Sequence, residues 1–170
     1  MINKKGFTLI EILIYIAIIV VFLIVITYFA LDILYGKIKS QSQMAVQQNA
    51  RFATEKVTQE IRQALDINLG DSIFGTNPGR LSLAMPQSEE NPTIFDIVSK
   101  ALRIYQPAIG TYNLTSSDVE VTNLVFTNLS PADGAKNIKI DLTIKYKNPE
   151  NKGEIEASCD IQTTVSTRFQ

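Results

Sequence analysis

Twenty consecutive residues without a charge, Ile12 to Leu31, constrain this chain more than any other part of its sequence. Thr27 is the only polar residue among them that lacks an aromatic ring. At about 1.5 Å per residue a helix of this length spans about 30 Å, which matches the hydrocarbon core of a bilayer. We therefore expect residues 7–31 to form a membrane-spanning helix.

One carboxylate, Glu11, stands at the start of this apolar run. A charged side chain inside the hydrocarbon costs about 2.5–3.5 kcal/mol at the centre, less near the interface, and tends to mark function. The free amides of the first helical turn and the helix dipole favour a negative charge at this position. Glu11 is therefore a candidate functional residue, and a glutamate that merely lies at the lipid interface is the structural alternative.

The residues KKGFTLIE at positions 4–11 resemble the class III signal of type IV pilins and of type II secretion pseudopilins. In that family an integral-membrane aspartic peptidase, the prepilin peptidase, cuts after the glycine and methylates the new amino terminus. The resemblance implies that residues 1–6 are a leader peptide and that the cut falls between Gly6 and Phe7. It also implies that Phe7 is N-methylated and that Glu11 is the glutamate four residues beyond the new terminus.

The new amino terminus would give Glu11 a charged partner. A free amine at Phe7 has a reference pKa of about 8, so it would be largely protonated at neutral pH. It would lie about 6 Å from Glu11 along the helix axis. An ammonium and a carboxylate in an apolar surround compensate each other, within one subunit or between staggered neighbours. Charge can thus set the register between subunits.

Two lysines, Lys4 and Lys5, precede the apolar run and hold that end in the cytoplasm by the positive-inside rule. We expect a single-pass protein of the inner, or cytoplasmic, membrane with an extracytoplasmic carboxyl-terminal domain that later joins a periplasmic or extracellular fibre. A cleaved secretory signal usually has a shorter apolar stretch and a small-residue cut site. A permanent signal anchor fits the hydropathy equally well but does not account for Gly6, Phe7 and Glu11 at their spacing.

The helix is predicted to continue to about Asn68, so residues 32–68 form its amphipathic continuation. Gly36 is the only glycine between Phe7 and Leu69, and no proline interrupts this stretch. Apolar residues recur at helical spacing: Leu31, Leu34, Ile38, Ala45 and Phe52, then Ala53, Val57, Ile61, Ala64 and Leu65. The remaining residues, 69–170, are predicted to form a β-rich globular domain with one modest core.

Turn residues and short alternating runs predict strands in this domain. A short strand is expected at 81–85 and one with a bulge near Thr122 and Asn123 at 119–129, whereas 93–105 is ambiguous between strand and helix. Residues 138–146 alternate with period two, and a turn at 148–153 leads into a last strand. Its expected inner face holds Ile155, Ala157, Cys159, Ile161 and Val165. The predicted fold class is α+β, a long amino-terminal helix packed on an antiparallel sheet, as in type IV pilins.

Little in the sequence favours catalysis. Histidine, the commonest general base and the usual zinc ligand, is absent. Cys159 lies on the inner face of a predicted strand, where an inert core thiol is expected. The clustered carboxylates lack the spacing of a calcium loop: Glu89, Glu90, Asp118, Glu120 and Asp133. We expect a structural protein with no catalytic residue, no metal and no cofactor.

A second resemblance concerns the subtype. Arg103, the stretch LTSS at 114–117 and a strand that ends in Phe126 are similar to J-type minor pseudopilins and W-type minor pilins. This implies a minor subunit in an initiating complex. The missing proline in the membrane half weakens the alternative of a main fibre subunit, and Glu11 argues against the tip-capping K-type. A membrane-anchored binding domain or adhesin is the alternative from another class.

The family resemblance implies four kinds of partner: the prepilin peptidase, other pilin or pseudopilin subunits, the inner-membrane assembly platform and, before assembly, membrane lipid. Nucleic acid is not expected, because acidic residues interrupt the lysines of the last predicted hairpin and the domain is not basic overall. These lysines are Lys136, Lys139, Lys145, Lys147 and Lys152.

Overall fold

The structure is a computed structural model that describes Gly6 and residues 8–131, 134–148 and 156–168. One α-helix, α1 (Leu9–Gln63), precedes the strands, and together they confirm the predicted α+β class. The strands are β1 (Asp66–Ile67), β2 (Leu81–Ala84), β3 (Thr93–Val98), β4 (Ala101–Gln106), β5 (Gly110–Asn113), β6 (Val119–Asn128), β7 (Asn137–Tyr146) and β8 (Ser158–Ser166). Phe7, Ile155 and most of the turn predicted at 148–153 lie outside the described residues.

The chain divides into two compact units, Met1–Ile38 and Lys39–Gln170, and the boundary lies within α1. In the first unit every described residue from Thr8 onward is exposed except Glu11. In the second unit the remainder of α1 buries one face. That face holds Ser42, Val46, Ala50, Ala53, Val57, Glu60 and Ile61.

This buried face is only partly the predicted one. Ala53, Val57, Ile61 and Ala64 are buried as expected, but Phe52 is 56% exposed and its expected place on the apolar stripe is wrong. Successive residues of a helix turn by about 100°, so burial of Ala53 rotates its neighbour Phe52 away from the sheets. Ala50 and Ala53 are both fully buried on this face.

The end of α1 is a second correction, because the helix stops at Gln63 and not at Asn68. The backbone N–H of Leu65 donates to the Ala84 carbonyl at 2.8 Å, and that of Asn68 donates to the Ser82 carbonyl at 2.9 Å. Pairing with β2 therefore replaces the next helical turn. Leu65, expected on the apolar stripe, is 48% exposed as a result.

The strands form two antiparallel sheets and not the single sheet expected. One has the order β1-β2-β3-β4-β5 and the other β6-β7-β8, and both contribute to one core with α1. A loop borders β6 on the side away from β7. The N–H groups of Gly75 and Gly79 donate to the carbonyls of Phe126 and Leu124, each at 2.8 Å. These bonds satisfy the edge of β6 and join it to the chain that leads into β2.

The ambiguous residues 93–105 form the β3–β4 hairpin. Its two turn residues, Ser99 and Lys100, have positive φ angles of 51° and 64°. Two-residue turns of this kind usually carry Asn or Gly, so a turn at Ser99 and Lys100 could not be predicted from the residue types. The Lys100 carbonyl accepts the N–H of Val121 at 2.8 Å, and the Lys100 ammonium lies 2.8 Å from Glu120 Oε2, which ties the turn to β6.

The second sheet confirms three predictions. Its β6–β7 register shifts between Val121 and Asn123, which is the predicted bulge. The period-two face of β7 is buried at Ile138, Ile140, Leu142 and Ile144. On β8, Val165 is buried and Cys159 and Ile161 pack partly buried against the core.

An ion pair lies on the buried face of α1, between Lys56 and Glu60. Their side chains are 25% and 3% exposed, and Glu60 Oε2 has no hydrogen-bond partner within the described part of the chain. Burial lowers the pKa of Lys56, but its hydrogen bond and attraction to Glu60 raise it more, so the net shift is upward. A pair of the same spacing, Arg51 and Glu55, lies 2.7 Å apart in solvent, 81% and 63% exposed.

These two pairs predict unequal costs of removal. Lys56→Met should destabilise a fragment that begins at Asp32 by roughly 3 kcal/mol, because Glu60 would stay buried without its counter-charge. Arg51→Met, the matched control, should cost less than about 1 kcal/mol because Glu55 is solvated. Urea denaturation followed by circular dichroism measures both. Equal losses in the two variants would contradict the burial of the Lys56–Glu60 pair.

Gly79 predicts a second contrast. A Cβ atom there would lie 3.0 Å from the Leu124 carbonyl oxygen and 3.1 Å from Cδ2 of Phe126, whereas one at Gly70 would meet nothing within 4 Å. Gly79→Ala should therefore cost about 1–3 kcal/mol, and the control Gly70→Ala should change stability by no more than about 0.5 kcal/mol. Thermal melting of both variants tests this, and an unchanged melting temperature for Gly79→Ala would refute the close contact with β6.

Candidate processing and assembly site

The amino end of α1 is capped by Thr8, which precedes the first helical residue, Leu9. Its hydroxyl oxygen accepts the Glu11 N–H at 3.4 Å, and the Thr8 N–H donates to Glu11 Oε2 at 3.5 Å. Both bonds are long, but their reciprocal pattern is that of a capping box, Thr-x-x-Glu. Glu11 therefore occupies the first-turn position at which the helix amides and dipole favour a carboxylate.

A second side chain contacts the same carboxylate. The Tyr15 hydroxyl donates to Glu11 Oε1 at 3.1 Å, one helical turn away. Glu11 is partly covered, whereas the other described residues from Thr8 to Gln41 are exposed. The sequence analysis missed Thr8 and Tyr15 as partners of Glu11. The signals that could have found them are the capping-box spacing from residue 8 to 11 and the i,i+4 spacing from residue 11 to 15.

The residues expected at the cleavage site are described only in part. Gly6 is exposed, lies before the helix, and has open space on the side where a Cβ atom would stand. Phe7 lies outside the described residues. The structure thus brings Glu11 together with Thr8 and Tyr15, and the expected pairing of Glu11 with an amine at Phe7 stays a prediction.

The surface of α1 in the first unit is apolar and exposed. Thr27 satisfies its hydroxyl internally, by donating to the Leu23 carbonyl at 2.7 Å, as a polar side chain in lipid must. By length and composition α1 could cross a membrane, and no second such helix occurs among the described residues. An apolar surface of this extent requires cover by lipid or by other helices.

The other candidate residues are a cysteine, a set of carboxylates and the lysines of the last hairpin. The Cys159 thiol is half-buried against the core. No group of three or more metal-ligating side chains occurs in the described ranges, from which Asp133 and Lys152 are missing. The pKa of Asp141 is lowered, first by a hydrogen bond from Gln162 and then, against the opposing effect of burial, by Lys139 at 3.2 Å. Lys139 is thus paired with an acid.

The residues of the second resemblance, Arg103 and 114–117, make hydrogen bonds within the domain and to α1. Arg103 donates two hydrogen bonds of 2.7 Å to Asp96 across the β3–β4 hairpin, and this bonding raises the pKa of Arg103. Thr115 Oγ1 accepts the N–H of Leu102 at 3.2 Å. The Ser116 N–H donates to Asn49 Oδ1 at 2.8 Å, which joins the LTSS stretch to α1. Sequence reasoning did not identify Asn49, whose partner is distant in the chain.

A family model, the prokaryotic N-terminal methylation motif, matches residues 1–27. The amino-terminal segment therefore carries a type IV pilin-like class III signal. The match spans Gly6, Phe7 and Glu11 and ends within the apolar part of α1. No curated protein and no solved structure matches the chain. The signal, the exposed apolar helix and the α+β domain packed on its continuation together support a pilin-like subunit that is processed as a prepilin and anchored in a membrane.

Proposed function

We propose that this protein is a structural minor pilin or pseudopilin. The prepilin peptidase cleaves it between Gly6 and Phe7 and methylates Phe7, and the subunit then enters a type IV pilus or a type II secretion pseudopilus. Its place in the initiating complex rests on the resemblance of Arg103 and residues 114–126 to J-type and W-type subunits. The observation that carries the proposal is the methylation motif at 1–27 on a helix whose apolar surface is exposed.

The proposal assigns a role to each of four segments of the chain. Residues 1–6 are the leader, 7–31 the membrane and fibre-core helix, 32–68 the segment that contains its amphipathic continuation, and 69–170 the globular domain. The apolar helix moves from lipid into a bundle of similar helices. Since one apolar environment replaces another, extraction costs less than exposure to water would. The assembly platform of the inner membrane would act at this step.

Three cationic side chains of the domain lie in ion pairs, which agrees with a structural role. Arg103, Lys100 and Lys139 each pair with a carboxylate. The same groups therefore stabilise the hairpin and the sheets. The protein acts in this proposal through its fibre contacts, and we assign it no enzymatic activity.

Processing at Gly6 is the first test. Gly6→Leu should leave the precursor uncut in membranes, because the peptidase must fit the residue before the scissile bond closely. Gly36→Leu is the matched control, since Gly36 also has open space around it but lies inside α1. Mass spectrometry of the wild-type chain from cells with an active prepilin peptidase should find N-methyl-Phe7 at its start. An intact Met1 end would refute the proposal and favour a permanent anchor.

Glu11 gives the second test. Glu11→Val should be cleaved and remain in the membrane but be depleted from sheared fibres, because the carboxylate that pairs with the Phe7 amine is lost while apolar contact is gained. Thr27→Val, the control, also replaces a polar residue of α1 by valine and should be incorporated normally. Immunoblots of membrane and fibre fractions measure both. Normal incorporation of Glu11→Val would show that its carboxylate is dispensable for assembly.

A further inference from the structure

The two carboxylate oxygens of Glu11 have different partners. Oε2 faces the amino-terminal side, where the Thr8 N–H approaches it at 3.5 Å, and Oε1 accepts the Tyr15 hydroxyl at 3.1 Å. Tyr15 lies one turn further into the apolar helix. The carboxylate is thus held from the membrane side by a hydroxyl, while its other oxygen is directed toward the end of the chain at which cleavage is proposed.

This arrangement addresses a specific physical problem. A carboxylate among apolar side chains is costly unless donors satisfy it, and a hydrogen bond to a charged group is among the stronger ones. Tyrosine suits the position because its ring is compatible with an apolar surround and its hydroxyl is a donor. Thr27, another polar residue of the apolar segment, does not bind a carboxylate, because its hydroxyl donates to the Leu23 carbonyl of its own helix.

We propose that Tyr15 is a positioning residue for Glu11: its hydroxyl holds the carboxylate oriented so that Oε2 stays available to the ammonium group of a processed subunit. The inference rests on the proposed function, because it assigns Tyr15 to the docking step. It separates the roles of the two oxygens: Oε1 is held by Tyr15 at 3.1 Å, and Oε2, whose contact with the Thr8 N–H is long at 3.5 Å, accepts the ammonium group during docking.

The test compares Tyr15→Phe with Tyr28→Phe in the full-length protein. Each variant loses one phenolic hydroxyl from the apolar half of α1, and the Tyr28 side chain is 68% exposed. Tyr15→Phe should lower incorporation into fibres by about tenfold or more, which corresponds to the loss of a hydrogen bond to a charged group. Tyr28→Phe should be incorporated like the wild type, and both variants should be cleaved.

A second measurement reports the carboxylate without requiring a fibre. A hydrophobic carbodiimide reacts with protonated carboxyl groups in membranes, and mass spectrometry can locate the product on the peptide that contains Glu11. The Tyr15 hydroxyl occupies Oε1 of Glu11, and its loss leaves that oxygen open to the reagent, so labelling of Glu11 should increase in Tyr15→Phe and stay unchanged in Tyr28→Phe. A purely packing role for Tyr15 would not alter this reaction.

The outcomes distinguish this inference from the proposed function. Increased labelling together with reduced incorporation, both confined to Tyr15→Phe, supports the inference. Unchanged labelling or unchanged incorporation of Tyr15→Phe overturns it, and the proposed function survives if Glu11→Val is still depleted from fibres. Normal incorporation of Glu11→Val removes the role of the carboxylate in assembly and the positioning role of Tyr15 with it.

Discussion

The change of environment along α1 is the constraint on which the rest of the structure depends. From Ile12 to Leu31 the helix presents exposed apolar side chains on all faces, and beyond Lys39 one face is buried in the core that α1 shares with the strands. The exposed apolar side chains of the first part require cover by lipid or neighbouring helices, whereas the buried face of the second part is covered within its own chain. The same continuous helix thus supplies both an intermolecular surface and the base of a folded domain.

The polar groups near α1 follow from that constraint. Glu11 is bonded to Thr8 and Tyr15, and Thr27 bonds to its own helix. In the covered half, Lys56 and Glu60 compensate each other at the buried face. Because an unpaired charge away from water is costly, each of these contacts both stabilises the helix where it lies and limits which substitutions the position accepts.

The domain is held to α1 and to itself by bonds between distant parts of the chain. Asn49 binds the backbone of Ser116, and the loop at Gly75 and Gly79 binds β6. Among the motif residues noted in the sequence, Ser116 of the LTSS stretch bonds to α1, whereas Arg103 pairs with Asp96 within the β3–β4 hairpin.

Local sequence determined the features that depend on neighbours along the chain. The amphipathic half of α1 and the period-two face of β7 were predicted, because helical and strand periodicity place near residues on one face. The signal around Gly6 was predicted from the resemblance of its residues to the class III signal. Tertiary structure alone decided that Phe52 faces outward, that α1 ends at Gln63, and that the strands divide into two sheets. The end of α1 follows from backbone pairing between residues distant in sequence, such as Leu65 with Ala84, and no local pattern encodes which distant backbone group will satisfy a given N–H.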